Sequence, residues 1–149
     1  TLFPYTTLFR SQPSGAIDTP GTIVLDPAYA EGLNDVDGFS HIILLYLFHQ
    51  SKGYDLMVKP FLDDRKRGLF STRAPRRPNP IGLSIVRVVR RQGAELTIRD
   101  IDVLNNTPLI DIKPYVPRFD IKTVTRSGWL ETTQHKVDST RSDKRFVEP

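Results

Sequence analysis

Ile81-Gly-Leu-Ser-Ile-Val-Arg-Val-Val-Arg90, then Arg91-Gln-Gly93, then Leu96-Thr-Ile-Arg-Asp-Ile-Asp-Val103 is the stretch that decides the fold. The first piece is rich in Ile and Val, which suit a pleated surface. The last piece alternates apolar and polar residues with a period of two. Arg91-Gln92-Gly93 between them is a hairpin turn signal. Two antiparallel strands are therefore expected here. Working outward, Thr22–Leu25, Leu56–Val58 and Leu109–Ile112 are short strand candidates. Ser40–His49 contains the continuous apolar run Ile42-Ile-Leu-Leu-Tyr-Leu-Phe48, which has no helical stripe and reads as a central strand buried on both faces. Several short strands at close spacing predict a mainly β chain, an antiparallel barrel or sandwich.

Helix is expected only briefly. Asp26-Pro27 is an N-cap followed by proline at the first helical position, so a short helix is expected from Pro27 to about Glu31, stopping at Gly32. Asn34–Gly38 reads as a turn, and Gln12–Pro20 as loop. Prolines at 114 and 117 end the last strand. Trp129 is expected to be the last residue to dock on the body, with Thr132–Pro149 a mobile tail.

The 149 residues suffice for one domain with one core. The chain has no cysteine, which excludes a disulfide framework, a thiolate metal site and a cysteine nucleophile. Its net charge of +4 is compatible with nucleic acid without proving it. The longest apolar run is far too short to span a bilayer, and no signal peptide is evident. Thr1–Ser11 resembles the in-frame translation of a sequencing-library adapter. It is set aside from fold reasoning, leaving a domain over residues 12–130 and a polar tail over 131–149. Only Arg10 is charged in that stretch, so the remainder keeps +3.

The segment entering the first strand, Arg73-Ala-Pro-Arg-Arg-Pro-Asn-Pro-Ile-Gly-Leu-Ser84, carries three arginines and three prolines. Proline fixes φ and removes a donor, so this is a stiff irregular loop. A guanidinium fork held in a fixed direction suits a carboxylate or phosphate; a solvated basic loop is the plainer alternative. A second constellation is Asp100-Ile-Asp-Val-Leu-Asn-Asn-Thr-Pro-Leu-Ile-Asp-Ile-Lys-Pro-Tyr115. In a strand, Asp100 and Asp102 share parity, as do Asp111 and Lys113. They would line either a pocket or a solvated edge. The histidines stand at 41, 49 and 135. His41 and His49, on one strand, would be roughly 26 Å apart, too far to share a metal. No phosphate-binding glycine loop and no Gly-x-Ser-x-Gly elbow occurs.

Thr72–Ser84 resembles the Thr-Arg-x-Pro-x-Arg-Pro-Asn-Pro-Ile-Gly-Leu-Ser motif of the TrmO family, also called TsaA-like or YaeB-like. Asp102–Tyr115 is similar to that family's Asp-x-x-x-Gly-Thr-Pro-x-x-Asp-Ile-Lys-Pro-Tyr motif. Gly38-Phe-Ser-His41 and Phe48-His49 match its Gly-Phe-Ser-His and Phe-His segments. The likeness covers roughly Thr22–Trp129. It implies a single-sheet antiparallel β-barrel, a cytoplasmic homodimer, and S-adenosylmethionine as methyl donor without a metal. The implied reaction methylates the exocyclic nitrogen of threonylcarbamoyl-adenosine beside the anticodon of tRNA. Carried over by position, His49, Gln50, Arg73, Leu83, Asn105, Asn106, Thr107 and Pro108 would hold the donor. Asp111, Lys113 and Arg77 would be catalytic. Arg76, Arg77, Asn79 and Tyr115 would meet the RNA, and Ser84 would shape the pocket.

Two departures stand out. Asn105-Asn106 replaces the family's usual pair before Thr-Pro; asparagine tolerates the left-handed conformation such a turn needs. Family members also begin with a strand and a Pro-Arg-Gln segment that helps hold the donor. Adapter-like residues stand there instead, so one wall of the site is expected to be missing, with loss of activity a consequence. A sulfonium donor needs mainly alignment. The acceptor N–H needs a base, for which Asp111 and His49 are the candidates. The competing readings are a non-catalytic RNA-binding barrel and an enzyme acting on another adenine or small molecule.

Overall fold

A computed structural model describes residues 3–5 and 17–133, the first three by backbone alone. The rest of the adapter-like segment, most of the 12–20 loop, His135 and the tail from 134 lie outside the described residues. Eight strands are described: β1 Phe3–Tyr5, β2 Pro20–Val24, β3 His41–Leu47, β4 Met57–Val58, β5 Arg67–Gly68, β6 Ile81–Gln92, β7 Glu95–Arg99 and β8 Leu109–Pro114. Six form one antiparallel sheet in the order β1-β2-β7-β6-β3-β8, and β4 and β5 form a separate ribbon. The protein is thus mainly β and antiparallel, as expected. No ladder joins β1 to β8 among the described residues.

The hairpin that decides the fold is present. Gln92 pairs with Glu95, and Gly93 takes φ +61°, a conformation that glycine adopts without steric cost. β7 stops at Arg99, earlier than the alternation suggested. Asp100 turns left-handed at φ 69° and its N–H donates to Thr19 O at 2.9 Å. Asp100 and Asp102 therefore do not form a strand pair. Ile101 and Val103 still reach the core from irregular backbone.

β3 is an interior strand flanked by β6 and β8, but it lies second from the edge of the sheet and not at its centre, and its two faces differ. Ile42, Leu44 and Tyr46 are buried, whereas Ile43, Leu45 and Leu47 are only half-buried. The expectation of equal burial is corrected: the run is apolar on both sides, but the core covers only one. That core joins β3 to Val86 of β6, Leu96 and Ile98 of β7, Ile23 of β2 and Leu109 of β8. Asp26 caps the expected helix, accepting from the Ala28 N–H at 2.9 Å; the segment Pro27–Leu33 is a 3-10 helix. The one α-helix among the described residues, α1, spans Pro117–Asp120. Trp129 docks by donating Nε1–H to Ser71 O at 2.9 Å. Thr132 belongs to the same 3-10 turn and Thr133 is buried, so the docked region extends past the expected start of the tail.

Arg87 of β6 ties the sheet to the lead-in of β2. Its Nε donates to Asp100 Oδ2 at 2.7 Å, and its Nη2 pairs with Asp18. The Asp18 N–H also donates to Asp100 Oδ1 at 2.7 Å. Arg87's hydrogen bond is the main cause holding the Asp100 carboxyl below the usual carboxylate range. A depressed folded pKa adds stability that is complete above the unfolded value, about 3.9, and is lost as pH falls through the folded one. Asp100→Asn keeps a residue that tolerates φ 69° while removing the charge. The gap in thermal midpoint between wild type and Asp100→Asn is expected near neutrality and to shrink below about pH 4. A gap that stays constant throughout acid titration contradicts this.

Candidate active site

One end of the sheet gathers most of the expected site. Leu47 N–H donates to Pro108 O at 2.9 Å and Phe48 N–H donates to Pro80 O at 2.7 Å. The exit of β3 is thereby clamped between the end of the arginine loop and the start of β8. His49 and Gln50 follow immediately and are exposed, as are Asn105 and Asn106 in the turn before Pro108. Asn106 adopts φ 59°, the conformation expected to let asparagine replace glycine. Thr107 is buried and donates Oγ1–H to Leu104 O at 2.6 Å, so it builds the turn.

The outer sheet face runs from this clamp. Register places Leu83 of β6, Leu45 of β3 and Asp111 of β8 in one row across three strands. Ile85, Ile43 and Lys113 form the next row. Leu83 is 51% exposed, an uncommon condition for leucine in mid-strand. Asp111 and Lys113 pair at 2.7 Å. That hydrogen bond is the chief reason the Asp111 carboxyl sits below its ordinary pKa. Asp111 is therefore a weakened base, which counts against it as proton acceptor. On the opposite, buried face Tyr46 Oη and Ser84 Oγ share a hydrogen bond of 2.9 Å. Ser84 thus supports the sheet from inside and does not line the outer face.

The arginines divide. Arg73 is exposed, and among the described residues its side chain makes no hydrogen bond or ion pair. Arg76 donates Nε–H to Lys52 O at 3.0 Å. Arg77 turns back on its own loop: Nη1 donates to Thr72 O at 3.0 Å, Ala74 O at 3.2 Å and Leu69 O at 3.4 Å. Its Cζ lies 5.6 Å from the centre of the Phe70 ring. A catalytic or RNA-gripping role was expected of Arg77, but its contacts make it the residue that sets the loop's shape. Asn79 is exposed and accepts the Ile81 N–H through its carbonyl at 2.8 Å.

Tyr115 does not join this group. Its N–H donates to His41 O at 3.2 Å and its ring meets His41 edge-on, at the far end of β3. Six residue steps separate His41 from Leu47, about 20 Å of strand. Two residues escaped the sequence reading. Phe70, on the Leu69–Ser71 3-10 turn, is 73% exposed. Gly82 lies against the buried Tyr46 ring. Phe70 could have been noticed as a large aromatic directly before Ser-Thr-Arg; nothing local signals the packing at Gly82. Among the described residues no cluster of His, Cys, Asp and Glu could hold a metal, and no helix is long and apolar enough to cross a membrane.

An antiparallel β domain with an apolar outer face, bordered by a proline-stiffened arginine loop and an Asn-Asn-Thr-Pro turn, defines the class. A family model for the tRNA-methyltransferase O N-terminal domain matches residues 2–121, and the chain belongs to that TrmO family. A probable S-adenosyl-L-methionine-binding protein of Pyrococcus abyssi is 53% identical over 135 residues, covering 91% of this chain and 73% of the relative. A human tRNA (adenine(37)-N6)-methyltransferase is 37% identical over 91 residues, 59% of this chain and 21% of the human protein. A crystal structure of TrmO from Pseudomonas aeruginosa superposes with a TM-score of 0.67 at 35% identity, over 86% of this chain. The chain spans 58% of that protein's length.

Proposed function

We propose that this chain is the donor-binding domain of an S-adenosylmethionine-dependent tRNA methyltransferase. Its substrate is the exocyclic nitrogen of threonylcarbamoyl-adenosine next to the anticodon, in the cytoplasm. The observation that carries the reading is the clamp on Leu47 and Phe48. It brings His49, Gln50, the arginine loop and the Asn105–Pro108 turn to one end of the sheet.

The residues there fit the donor's chemistry. Arg73 offers an exposed guanidinium for a carboxylate, Leu83 an exposed aliphatic surface, and His49, Gln50, Asn105 and Asn106 exposed polar groups. S-adenosylmethionine supplies a methyl already activated on a sulfonium. What remains for the protein is to align the acceptor nitrogen and to take its proton as the N–C bond forms. Asp111, held by Lys113, keeps a negative charge on the face where a cation would sit. His49 is the better-placed proton acceptor of the two candidates, since it is exposed at the clamped end and its ring makes no hydrogen bond or ion pair among the described residues.

The apolar outer face supports a homodimer. Ile81, Leu83 and Ile85 are exposed in one row along β6, with Ile43, Leu45 and Leu47 half-buried beside them. An exposed apolar face of this kind suits a two-fold pair.

Incubating the protein, with a Pro-Arg-Gln-bearing N-terminal strand in place of the adapter-like residues 1–11, with S-adenosylmethionine and tRNA carrying threonylcarbamoyl-adenosine, then weighing the digested nucleosides, tests the reading. One added methyl group on that nucleoside is expected, from a species that sediments as a dimer. Calorimetry should show the donor binding roughly tenfold more weakly to Arg73→Ala, the loss of one charge-assisted bond. Absence of donor binding by the protein with that N-terminal strand in place overturns the proposal.

A further inference from the structure

We propose that Phe70 is a stacking platform for an unpaired nucleobase, and that residues 52–77 form the surface on which single-stranded RNA docks. This inference rests on the tRNA reading and deepens it by naming the contact surface.

The starting observation is the ring's exposure. Phe70 is 73% exposed while its neighbour Leu69 is fully buried. The turn that carries it is rigid. Thr72 N–H and Oγ1–H both donate to Leu69 O, at 3.0 and 2.8 Å, and Ser71 Oγ–H donates to Gly68 O at 2.8 Å. Trp129 holds Ser71 O from outside, and the Arg67 guanidinium packs 5.7 Å from the Trp129 ring centre. These bonds hold the turn with the Phe70 ring facing outward.

Arg77 stands against that ring, fixed by the carbonyls it serves. A phenyl group flanked by a held guanidinium presents its remaining exposed surface as a flat, preset shelf, and every base has a π-face to lay on such a shelf. The charge around it selects the partner. Residues 52–77 carry eight Lys and Arg against three Asp and Glu, a net +5, whereas the whole chain is +4. The excess positive charge of the molecule is thus gathered on one segment. The side chains of Lys52, Arg65 and Lys66 make no hydrogen bond or ion pair among the described residues, which leaves them to meet phosphates. An aromatic shelf amid free cations suits a single strand whose bases are unstacked, such as a loop, more than a duplex.

Fluorescence anisotropy with a labelled RNA stem-loop and a blunt RNA duplex tests this. Phe70→Ala should weaken stem-loop binding about tenfold, with duplex affinity unchanged and Phe70→Tyr close to wild type. Donor affinity, read by calorimetry, should not move in Phe70→Ala. If wild type binds the stem-loop and Phe70→Ala binds it equally well, the platform is overturned while the tRNA reading stands. If wild type binds neither RNA, both fall. Loss of donor affinity in Phe70→Ala would assign the ring to the donor site and overturn the proposal. Phe70-dependent binding to anionic phospholipid vesicles, with RNA binding unaffected, would do the same in favour of a membrane surface.

Discussion

Gly82→Ala is expected to destabilise the protein by about 1–3 kcal/mol, the range for overpacking a filled core. Gly82 pairs with Tyr46 across β6 and β3, on the buried face. A Cβ built there would lie 2.6 Å from Tyr46 Cζ and 2.8 Å from Phe48 Cζ. Both rings are constrained. They pack edge-to-face at 5.5 Å, and the Tyr46 hydroxyl is bonded to Ser84. Burial also pushes the Tyr46 phenol above its usual pKa, so it stays neutral on the buried face. The methyl must push one ring or part the strands. In a domain of this size the thermal midpoint should fall by roughly 3–10 °C. The effect should reach the site, because Phe48 leads directly into His49 and its N–H anchors on Pro80. Tyr46→Leu shortens the obstructing side chain, so Gly82→Ala combined with Tyr46→Leu should cost less than the two changes added together. Strict additivity, or an unchanged midpoint for Gly82→Ala alone, would show that the strands have slack at this crossing.

Gly82 also marks where the sequence stops being readable. The strands on either side of Gln92-Gly93 were legible because alternation and turn chemistry are local. So was the cap at Asp26, whose bond reaches only two residues along the chain. Ile42–Phe48 was legible as a strand but not in its burial. An apolar run looks the same whether the second face meets core or solvent, and here Ile43, Leu45 and Leu47 face outward. The site followed the same rule. The residues contributed by the ends of β3, β6 and β8 converge because the register of three strands brings them together. Tyr115 was grouped with them by its nearness in sequence to Asp111. An antiparallel strand carries such a neighbour away from the site at about 3.4 Å per residue. The arginines of the loop look alike in the sequence; only the folded loop separates the exposed Arg73 from the engaged Arg77.

That separation leads to the second large effect. Arg77→Ala should lower methyl transfer by roughly 10²-fold through the loop's shape, the scale on which a small misplacement acts in an alignment-driven reaction. Three of the carbonyls that define the loop, those of Leu69, Thr72 and Ala74, accept from one guanidinium nitrogen. Leu69 and Ala74 are themselves members of a small second core with Val58, separate from the main one. Removing Arg77 takes the guanidinium from the Thr72 and Ala74 carbonyls and from the Phe70 ring together, while Leu69 O keeps its two bonds from Thr72 and the main core keeps all its members. The expected signature is local: faster amide exchange and easier proteolysis across 69–77, with little change in the global unfolding midpoint. Arg77→Lys keeps the charge but replaces a planar fork with a flexible point charge, so it should recover only part of the activity. If Arg77 instead acted directly on substrate, Arg77→Ala would lose activity with amide exchange across 69–77 unchanged. Full activity in Arg77→Lys would show that charge, and not the geometry of the fork, is what the loop requires.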